Sequence, residues 1–112
     1  MKHIIAIIRP EKLDDVRSAL ENVGYSGLMI SEIEGHGKQK GIVQQWRGEK
    51  YKVDLIPKIK LEVVTQDAEA PLIIKTIIEY ARTGEIGDGK IFVSTIDEVI
   101  RIRTGETGET AL

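Results

Sequence analysis

Three glycines and a lysine stand close together near the end of the chain, in the stretch TGEIGDGKIFV at residues 83–93. Gly84 to Lys90 fits the spacing G-x-x-x-x-G-K, which in phosphate-binding loops arranges backbone amides and a lysine around phosphate oxygens. Ile91 stands where that motif needs Ser or Thr for magnesium, and the predicted helix precedes the loop instead of following it. Glycine amides can still form an anion nest beside a lysine. An alternative stays open, in which Gly84 ends a helix and Asp88-Gly89 form a tight turn.

A pair of arginines forms a second basic element. Arg101 and Arg103 lie in the run VIRIR (99–103), which the apolar alternation predicts as a short strand. Side chains two residues apart on a strand leave the same face roughly 7 Å apart. Guanidinium groups at that spacing suit two oxygens of a polyphosphate, although charge on an edge strand can also protect it from mispairing. Together with the glycine loop and with Lys38 and Lys40, the pair favours a phosphate-rich ligand.

Other kinds of chemistry find little support in the sequence. It holds no cysteine, which excludes disulfides, thiol nucleophiles and zinc–thiolate sites, and it shows no Ser–His–Asp set or evident carboxylate pair. The net charge of −2 gives no indication of nucleic acid binding. The apolar run IIAII near the start is too short to span a membrane. We therefore expect a cytoplasmic binding protein and not an enzyme, with a slow ATPase and a ligand-free scaffold as the alternatives.

The first part of the chain alternates between strand and helix patterns. HIIAIIRP (3–10) is a β-branched run that ends at Pro10, which is typical of a buried strand. A helix is predicted from Glu11 to Gly24, because apolar residues recur there at spacings of three and four. The run LMISEIE (28–34) predicts a second strand.

The second part repeats this order. IKLEVVT (59–65) alternates as a half-buried strand does. In the helix that follows, Asp67 is the predicted cap, Pro71 suits the first turn and Gly84 the end. KIFVSTI (90–96) predicts a further strand, and the polar tail after the arginine pair is expected to be mobile. The predicted buried face of this second helix consists of Ile73, Ile74, Ile77, Ile78 and Ala81.

The order β-α-β-β-α-β predicts a single α+β domain over residues 1–112, with the ferredoxin-like arrangement of a sheet covered on one face by two helices. The opposite face of such a sheet, if it carries Ile and Val, must be buried by other chains. We therefore expect a homo-oligomer.

The connection between the second and third strands is long, since it covers residues 35–58. A compact domain closes such a connection in a few residues, and longer ones are commonly functional. This segment holds the only tryptophan of the chain, Trp46, beside Arg47, and both are typical anchors at interfaces. A solvated basic hairpin with Trp46 tucked against the body is the alternative. Its basic residues are Lys38, Lys40, Arg47, Lys50, Lys52 and Lys58.

Four stretches, TGEIGDGKIFVSTI, VIRIRTGE, RPEKLDDVRSAL and GHGKQKG, resemble the PII nitrogen-regulatory signal-transduction proteins of the GlnB/GlnK type. The match covers nearly the whole chain without gaps. The resemblance implies a homotrimer that senses ATP, ADP and 2-oxoglutarate and regulates partners in nitrogen metabolism. It also implies a T-loop at about 36–56, a B-loop at about 82–90 and a C-loop at about 101–112.

The resemblance further implies a nucleotide site in each cleft between subunits. The loop residues would wrap the phosphates, the two arginines would reach in from the adjacent subunit, and Val64 would line the adenine pocket. Met29 stands where a threonine often contacts the adenine, and Lys38 replaces the usual arginine. The implied nucleotide-binding residues are Met29, Gly35, Gly37, Lys38, Gln39, Val64, Gly87, Asp88, Gly89, Lys90, Arg101 and Arg103.

By the same resemblance, Gln39 would join Mg²⁺ to ATP and 2-oxoglutarate. Partners would contact Trp46, Arg47 and Tyr51, and the expected partner is an ammonium transporter, which would bring the protein to the membrane only peripherally. Other enzymes of nitrogen metabolism are further candidate partners. Tyr51 occupies the position of the modified tyrosine, in a stretch, WRGEKY, that differs from the usual pattern. The implied 2-oxoglutarate residues are Gln39, Lys40, Gly41, Lys58 and Gly87.

Overall fold

A four-stranded antiparallel sheet with two helices forms the body of the protein. The structure, a computed structural model, describes residues 1–25, 27–36, 43–46, 49–52 and 55–112, and for residues 35–36, 43–46, 49–52 and 55 it describes the backbone alone. The strands of the main sheet lie in the order β2-β5-β1-β6. The elements are β1 (Lys2–Ile8), a 3₁₀ turn (Pro10–Lys12), α1 (Leu13–Asn22), β2 (Met29–His36), β3 (Val43–Trp46), β4 (Glu49–Lys52), β5 (Leu55–Thr65), α2 (Ala70–Ala81), β6 (Lys90–Thr95) and a second 3₁₀ turn (Glu109–Ala111).

The core lies between the helices and one face of the sheet. Ile4 and Ile8 of β1 and Leu61 of β5 are almost completely buried, as are Leu20 of α1 and Ile73 of α2. Alternation along each strand sends every second side chain to this face, and each buried Ile or Leu contributes about 1.5–3 kcal/mol. The predicted ferredoxin-like arrangement of the α+β class is thereby confirmed.

The opposite face of the sheet is not covered by a helix in the described part of the chain. Ile5 of β1 pairs with Glu62 of β5 and with Phe92 of β6, so all three lie on this open face. Phe92 is 55% exposed and Met29, opposite Glu62 on β2, is 51% exposed. These large, exposed side chains give the open face an apolar surface.

The ends of α2 differ from the prediction. Pro71 lies in its first turn as expected, but Glu69 is the N-cap residue and provides no side-chain cap. The predicted cap, Asp67, instead forms an ion pair of 2.9 Å with the amino group of Met1. The helix stops at Ala81, earlier than the predicted stop at Gly84, which belongs to the following loop.

The start of α1 also differs slightly, because Glu11 lies in the 3₁₀ turn that precedes the helix. The predicted stop is confirmed. Gly24 adopts a φ of 97°, and its amide donates to the carbonyl oxygen of Glu21 at 3.0 Å.

The predicted strand at 99–103 is wrong. The Arg101 amide donates to the carbonyl oxygen of Glu106, and the Gly105 amide donates back to the carbonyl oxygen of Arg101, each at 2.8 Å. These two bonds close a tight reversal, in which only Ile100 and Thr107 form an isolated β-bridge. The tail that was expected to be mobile forms the second 3₁₀ turn, in which Ala111 is buried.

The long connection between β2 and β5 contains a second, two-stranded antiparallel sheet. β3 pairs with β4 from Val43↔Lys52 to Trp46↔Glu49. The side chains of Trp46 and Tyr51, and all of Arg47, lie outside the described part of the structure. The same holds for the other candidate site residues of this connection, namely Gly37, Lys38, Gln39, Lys40 and Gly41.

Across the described ranges, no helix combines the length and the apolar composition that a membrane crossing needs.

Candidate functional site

The glycine-rich loop joins α2 to β6 and requires its glycines for two reasons. Gly84, Gly87 and Gly89 have φ angles of 89°, 103° and 100°, in the left-handed region that other residues rarely adopt. A Cβ atom on Gly89 would also overlap the carbonyl oxygen of Ile7 on β1. The tight turn is therefore confirmed, and it presses its backbone against the end of β1.

The carboxylate of Asp88 closes this loop. Its Oδ2 accepts the amides of Thr83 and Gly84 at 2.9 and 2.8 Å. Its Oδ1 accepts the Thr83 hydroxyl and, at 3.1 Å, Nε of Arg9. The hydrogen bond from the Thr83 hydroxyl is the main cause that holds the pKa of Asp88 well below its usual range, against the opposing effect of burial. Asp88 is therefore an ionised bracket inside the loop, with both oxygens already engaged.

Two cations from the sheet hold the same loop by its carbonyl groups. Nη2 of Arg9 donates to the carbonyl oxygen of Ile86 at 2.9 Å, and Nζ of Lys58 donates to that of Gly87. Lys58 is only 6% exposed. Its burial, followed by the nearby charge of Arg9, lowers the pKa of the Lys58 ammonium. A partly desolvated pair of cations is a favourable environment for a carboxylate or phosphate.

A small cleft opens beside these cations. It measures about 230 Å³, and Arg9, Glu11, Ile56 and Lys58 contribute to its lining. In size it can hold a compact dicarboxylate or a few waters. No cluster of three or more metal-ligating side chains is found among the described residues, so any cation here would need a ligand from elsewhere.

A larger groove of about 350 Å³ runs between α2 and β6. Ile74 and Ile78 of α2 face Ile91 and Val93 of β6, and Lys90 stands at the end next to the loop. Val93 is 48% exposed although it points to the helix side of the sheet. The β6 edge is thus apolar and only partly covered.

The predicted site residues fall into two groups at opposite ends of the sheet. The loop lies where β1 ends, because Lys90 pairs with Ile7. Lys58 and Gly35 lie on β5 and β2 at this same end, and Gly35 pairs with Ile56. We call these residues, together with Gly87, Asp88, Gly89 and Lys90, the loop group.

The second group lies toward the start of β1. Val64 pairs with His3 near the start of β1, and Met29 pairs with Glu62, whose other partner is Ile5 in the middle of β1, so both occupy the open face. β6 leads to the same end, where the Ile96 amide donates to the carbonyl oxygen of Met1. The segment with Arg101 and Arg103 begins there. A strand of six residues separates its start from the loop, which amounts to roughly 17 Å.

The predicted geometry of the arginine pair is wrong, because these residues lie in a turn. Arg101 Nη1 donates to Oε1 of Glu106 at 3.5 Å, and its Nη2 donates to the backbone oxygens of Thr110 and Leu112 at 3.1 and 3.4 Å. Arg103 is exposed in the reversal between Arg101 and Glu106. Within the described ranges, the side chain of Arg101 is therefore bonded to its own C-terminal segment and not to the loop.

Sequence reasoning missed two residues that shape the loop, Arg9 and Thr83. Arg9 stands directly before Pro10, where the chain leaves β1, so a cation was visible at a strand end. Nothing local links it to Asp88, which lies 79 positions further along the chain. Thr83 occurs five residues before Asp88, a spacing that a closed loop can bridge.

Comparison with known proteins gives consistent matches. The family model described as nitrogen regulatory protein P-II matches residues 1–106. Nitrogen regulatory protein P-II 2 of Methanothermobacter thermautotrophicus is 52% identical over 112 residues, which cover all of this chain and 97% of that protein. The nitrogen regulatory proteins P-II of Rhizobium meliloti and Haemophilus influenzae are each 54% identical over the full length of both chains.

Proposed function

Because the chain belongs to the P-II family of nitrogen regulatory proteins, we propose that it is a sensor of ATP, ADP and 2-oxoglutarate. A role in nitrogen regulation follows from the family. The finer proposal is that nucleotide binds between the subunits of a homotrimer and that residues 36–56 carry the signal to partner proteins.

The observation that carries this proposal is the built loop at residues 83–90. Gly87 and Gly89 have positive φ angles, which are of the kind that lets neighbouring backbone amides converge on an anion in a nest. Lys90 adds a cation at the first position of β6. Asp88 fixes this arrangement without a ligand, so the amides need little reorganisation to receive phosphate oxygens.

The separation of the two residue groups supports a site shared between copies. One copy would supply Gly87 to Lys90 for the phosphates. The adjacent copy would supply Arg101 and Arg103, with Met29 and Val64 beside the adenine. Since the groups lie at opposite ends of one sheet, a head-to-tail neighbour can bring them together more readily than the chain itself.

The apolar surface supports the same assembly. Phe92 and Met29 are exposed on the open face, and the helix-side groove at the β6 edge leaves Val93 half exposed. Ile30 on the opposite edge strand is 41% exposed. A closed ring of three copies would bury the open faces and bring the β6 edge of one copy against the β2 edge of the next. A sedimentation mass of one chain across micromolar concentrations would contradict this assembly.

Lys58 supports the proposed 2-oxoglutarate site. Its ammonium is buried beside Arg9 and holds the carbonyl oxygen of Gly87, so it stands where a distal carboxylate could join it. Gln39 and the backbone near Gly41 would complete the site, with Mg²⁺ held between Gln39, the phosphates and the oxoacid. Both lie outside the described residues. When bound, Mg²⁺ would accept oxygen ligands from both the nucleotide and the oxoacid and so link the binding of the two.

The proposed output is the connection between β2 and β5. Gly35 and Lys58 lie on these strands, so ligands there would contact both ends of residues 36–56. Trp46, Arg47 and Tyr51 would meet the partner, an ammonium transporter at whose pore Arg47 is the candidate blocking residue. ADP or ATP alone would permit docking, and Mg-ATP with 2-oxoglutarate would favour release. The protein would then be cytoplasmic and associate with the membrane only through its partner.

Calorimetry tests this proposal with ATP alone, with ATP and Mg²⁺, and with 2-oxoglutarate added before or after them. We expect one ATP site per chain and 2-oxoglutarate binding only when ATP and Mg²⁺ are both present. If 2-oxoglutarate binds equally well without nucleotide, the proposal that its site depends on ATP and Mg²⁺ is wrong. If ATP gives no heat of binding, the proposal that the protein senses ATP is wrong. A slow ATPase is disfavoured because Asp88 has both oxygens engaged. Steady multiple-turnover release of phosphate would overturn that expectation.

A further inference from the structure

The loop that presents the amides is not held by its own residues alone. The planar guanidinium of Arg9 reaches it at two points, the carboxylate of Asp88 through Nε at 3.1 Å and the carbonyl oxygen of Ile86 through Nη2 at 2.9 Å. The Arg9 side chain is only 14% exposed, and that of Asp88 is 24% exposed. The bond to Asp88 is therefore partly shielded from water, which strengthens it relative to a surface pair, whereas the bond to the carbonyl oxygen of Ile86 is exposed.

Thr83 and Asp88 close the loop from inside. The Thr83 hydroxyl donates to Oδ1 of Asp88, and the amides of Thr83 and Gly84 donate to Oδ2. The Glu85 amide donates to the Thr83 hydroxyl at 3.1 Å. The bonds from Arg9 and Lys58, the close approach of Gly89 to Ile7 and the pairing of Lys90 with Ile7 attach this ring to the sheet.

We propose that Arg9 and Thr83 are positioning residues for phosphate binding, which act through Asp88 by fixing the amides of residues 86–89. This inference rests on the proposed function. It assigns the side-chain carboxylate of Asp88 to the internal donors and not to contact with phosphate or metal, while the Asp88 amide stays among the amides that would meet phosphate. It also assigns the contribution of Arg9 to its fork geometry and not to its positive charge.

The competing explanation is electrostatic, since a cation near the loop attracts phosphate from any geometry. Arg9→Lys separates the two explanations. Lysine keeps the charge, but its single ammonium cannot present two coplanar donors to Asp88 and Ile86 as a guanidinium does. A purely electrostatic role predicts ATP affinity close to that of the wild type. A positioning role predicts a loss close to that of Arg9→Gln.

The test compares ATP and adenosine binding in the full-length protein by calorimetry. We expect Arg9→Lys to weaken ATP about tenfold, the loss typical of one hydrogen bond to a charged group, while adenosine changes less than about twofold. Arg17→Lys is the matched control. Arg17 makes a 3.1 Å pair with Asp14 on the exposed surface of α1, and its replacement should change neither affinity.

A second pair of variants tests the ring from inside. Thr83→Val removes the hydroxyl while the side chain keeps nearly the same size, and Thr83→Ser keeps the hydroxyl. We expect Thr83→Val to weaken ATP by about tenfold and Thr83→Ser to bind within about twofold of the wild type. Thermal unfolding of each variant shows whether its fold is intact.

Amide hydrogen exchange without any ligand supplies a readout that does not depend on nucleotide. In Arg9→Lys and Thr83→Val, the amides of Thr83 and Gly84 should exchange about tenfold faster, while Ile4 and Ile73 in the core keep their rates. Wild-type ATP affinity together with unchanged exchange in both variants would overturn the inference. Absence of ATP binding by the wild type would reject the proposed function instead, and the exchange rates would still decide whether Arg9 holds the loop.

Discussion

Two segments of this protein carry the cations predicted to meet phosphate, and the structure treats them in opposite ways. In residues 83–90 the internal acceptor, Asp88, is engaged by Thr83, Gly84 and Arg9, and Gly87 and Gly89 keep positive φ angles. In the C-terminal segment it is the cation itself, Arg101, that is engaged, by Glu106, Thr110 and Leu112.

The difference determines what each segment must give up when a ligand binds. If phosphate binds as proposed, the loop would receive it with its own hydrogen bonds intact. Arg101 would have to exchange acceptors of its own segment for phosphate oxygens, so part of the free energy of its new contacts would be offset. The loop is thus the preorganised part of the proposed site, and the C-terminal segment is the part that must rearrange.

The largest effect is expected from Gly89→Ala, which breaks the preorganised side of the comparison. The new Cβ would overlap the carbonyl oxygen of Ile7, and the φ of 100° disfavours any side chain. We expect a loss of unfolding free energy of about 2–4 kcal/mol and loss of measurable ATP binding. Urea unfolding and calorimetry measure the two effects.

Gly24→Ala is the matched control for that substitution. Gly24 has a φ of 97° but open space around it, so it should lose only about 1 kcal/mol and retain ATP binding. Equal losses at the two glycines would show that the contact between Gly89 and Ile7 contributes nothing.

Arg103→Ala tests the adaptable side. Arg103 is exposed in the reversal, and we propose that it reaches the phosphates of a neighbouring copy. ATP should weaken by about one to two decades, because contacts from a charged donor are worth roughly 1.5–3 kcal/mol each. The melting temperature should stay within about 2 °C of the wild type. Unchanged ATP affinity in calorimetry would remove Arg103 from the site.

Acid should weaken the loop in a way that depends on Asp88. Its pKa is lower in the folded protein than the ordinary value of about 3.9, so its stabilising contribution is present at neutral pH. That contribution is lost as the pH falls below about 4 toward the folded pKa. In urea unfolding at pH 7, Asp88→Asn should lose about 1–3 kcal/mol, and the gap to the wild type should narrow toward pH 3. If the difference in unfolding free energy between Asp88→Asn and the wild type stays constant with pH, the ionised carboxylate of Asp88 does not stabilise the loop.

Glu106→Gln should have the smallest effect. The pair between Arg101 and Glu106 spans 3.5 Å between side chains that are 36% and 46% exposed, so its loss should change stability by less than about 0.5 kcal/mol. Since Arg101 gains freedom, ATP affinity should rise by less than about threefold. A fall in ATP affinity in calorimetry would mean that Glu106 holds Arg101 in its binding position. The C-terminal segment would then be preorganised like the loop.

Much of the fold could be predicted because periodicity is a local property. The β-branched run in residues 3–10, the alternation in residues 59–65 and the helical spacing after Glu11 are all visible from neighbours in sequence, and each reflects how the side chains meet the core. The same logic failed at 99–103. Alternation there is present, but a strand needs a partner along its whole length, and here the backbone folds back on itself at Gly105.

Asp67 shows a similar limit at a single residue. Its position before α2 is typical of a cap, yet the amino group of Met1, brought beside it by the fold, takes its carboxylate at 2.9 Å. A charged partner outcompetes the neutral backbone amides that a cap would satisfy. No local pattern reports where Met1 will lie.

For the candidate site, the sequence by itself determined which residue types stand together, namely three glycines, Lys90 directly after them and two arginines, and from these we predict a phosphate ligand. The tertiary structure alone decided how these groups are held and which of them lie close together. It placed Arg9 on Asp88 across 79 positions, and it set Met29 on β2, at the opposite edge of the sheet from β6, which the loop precedes. The physical reason is that residue type and local spacing are written along the chain, whereas strand order and register, which arise from burial of the whole core, bring distant residues together or keep them apart.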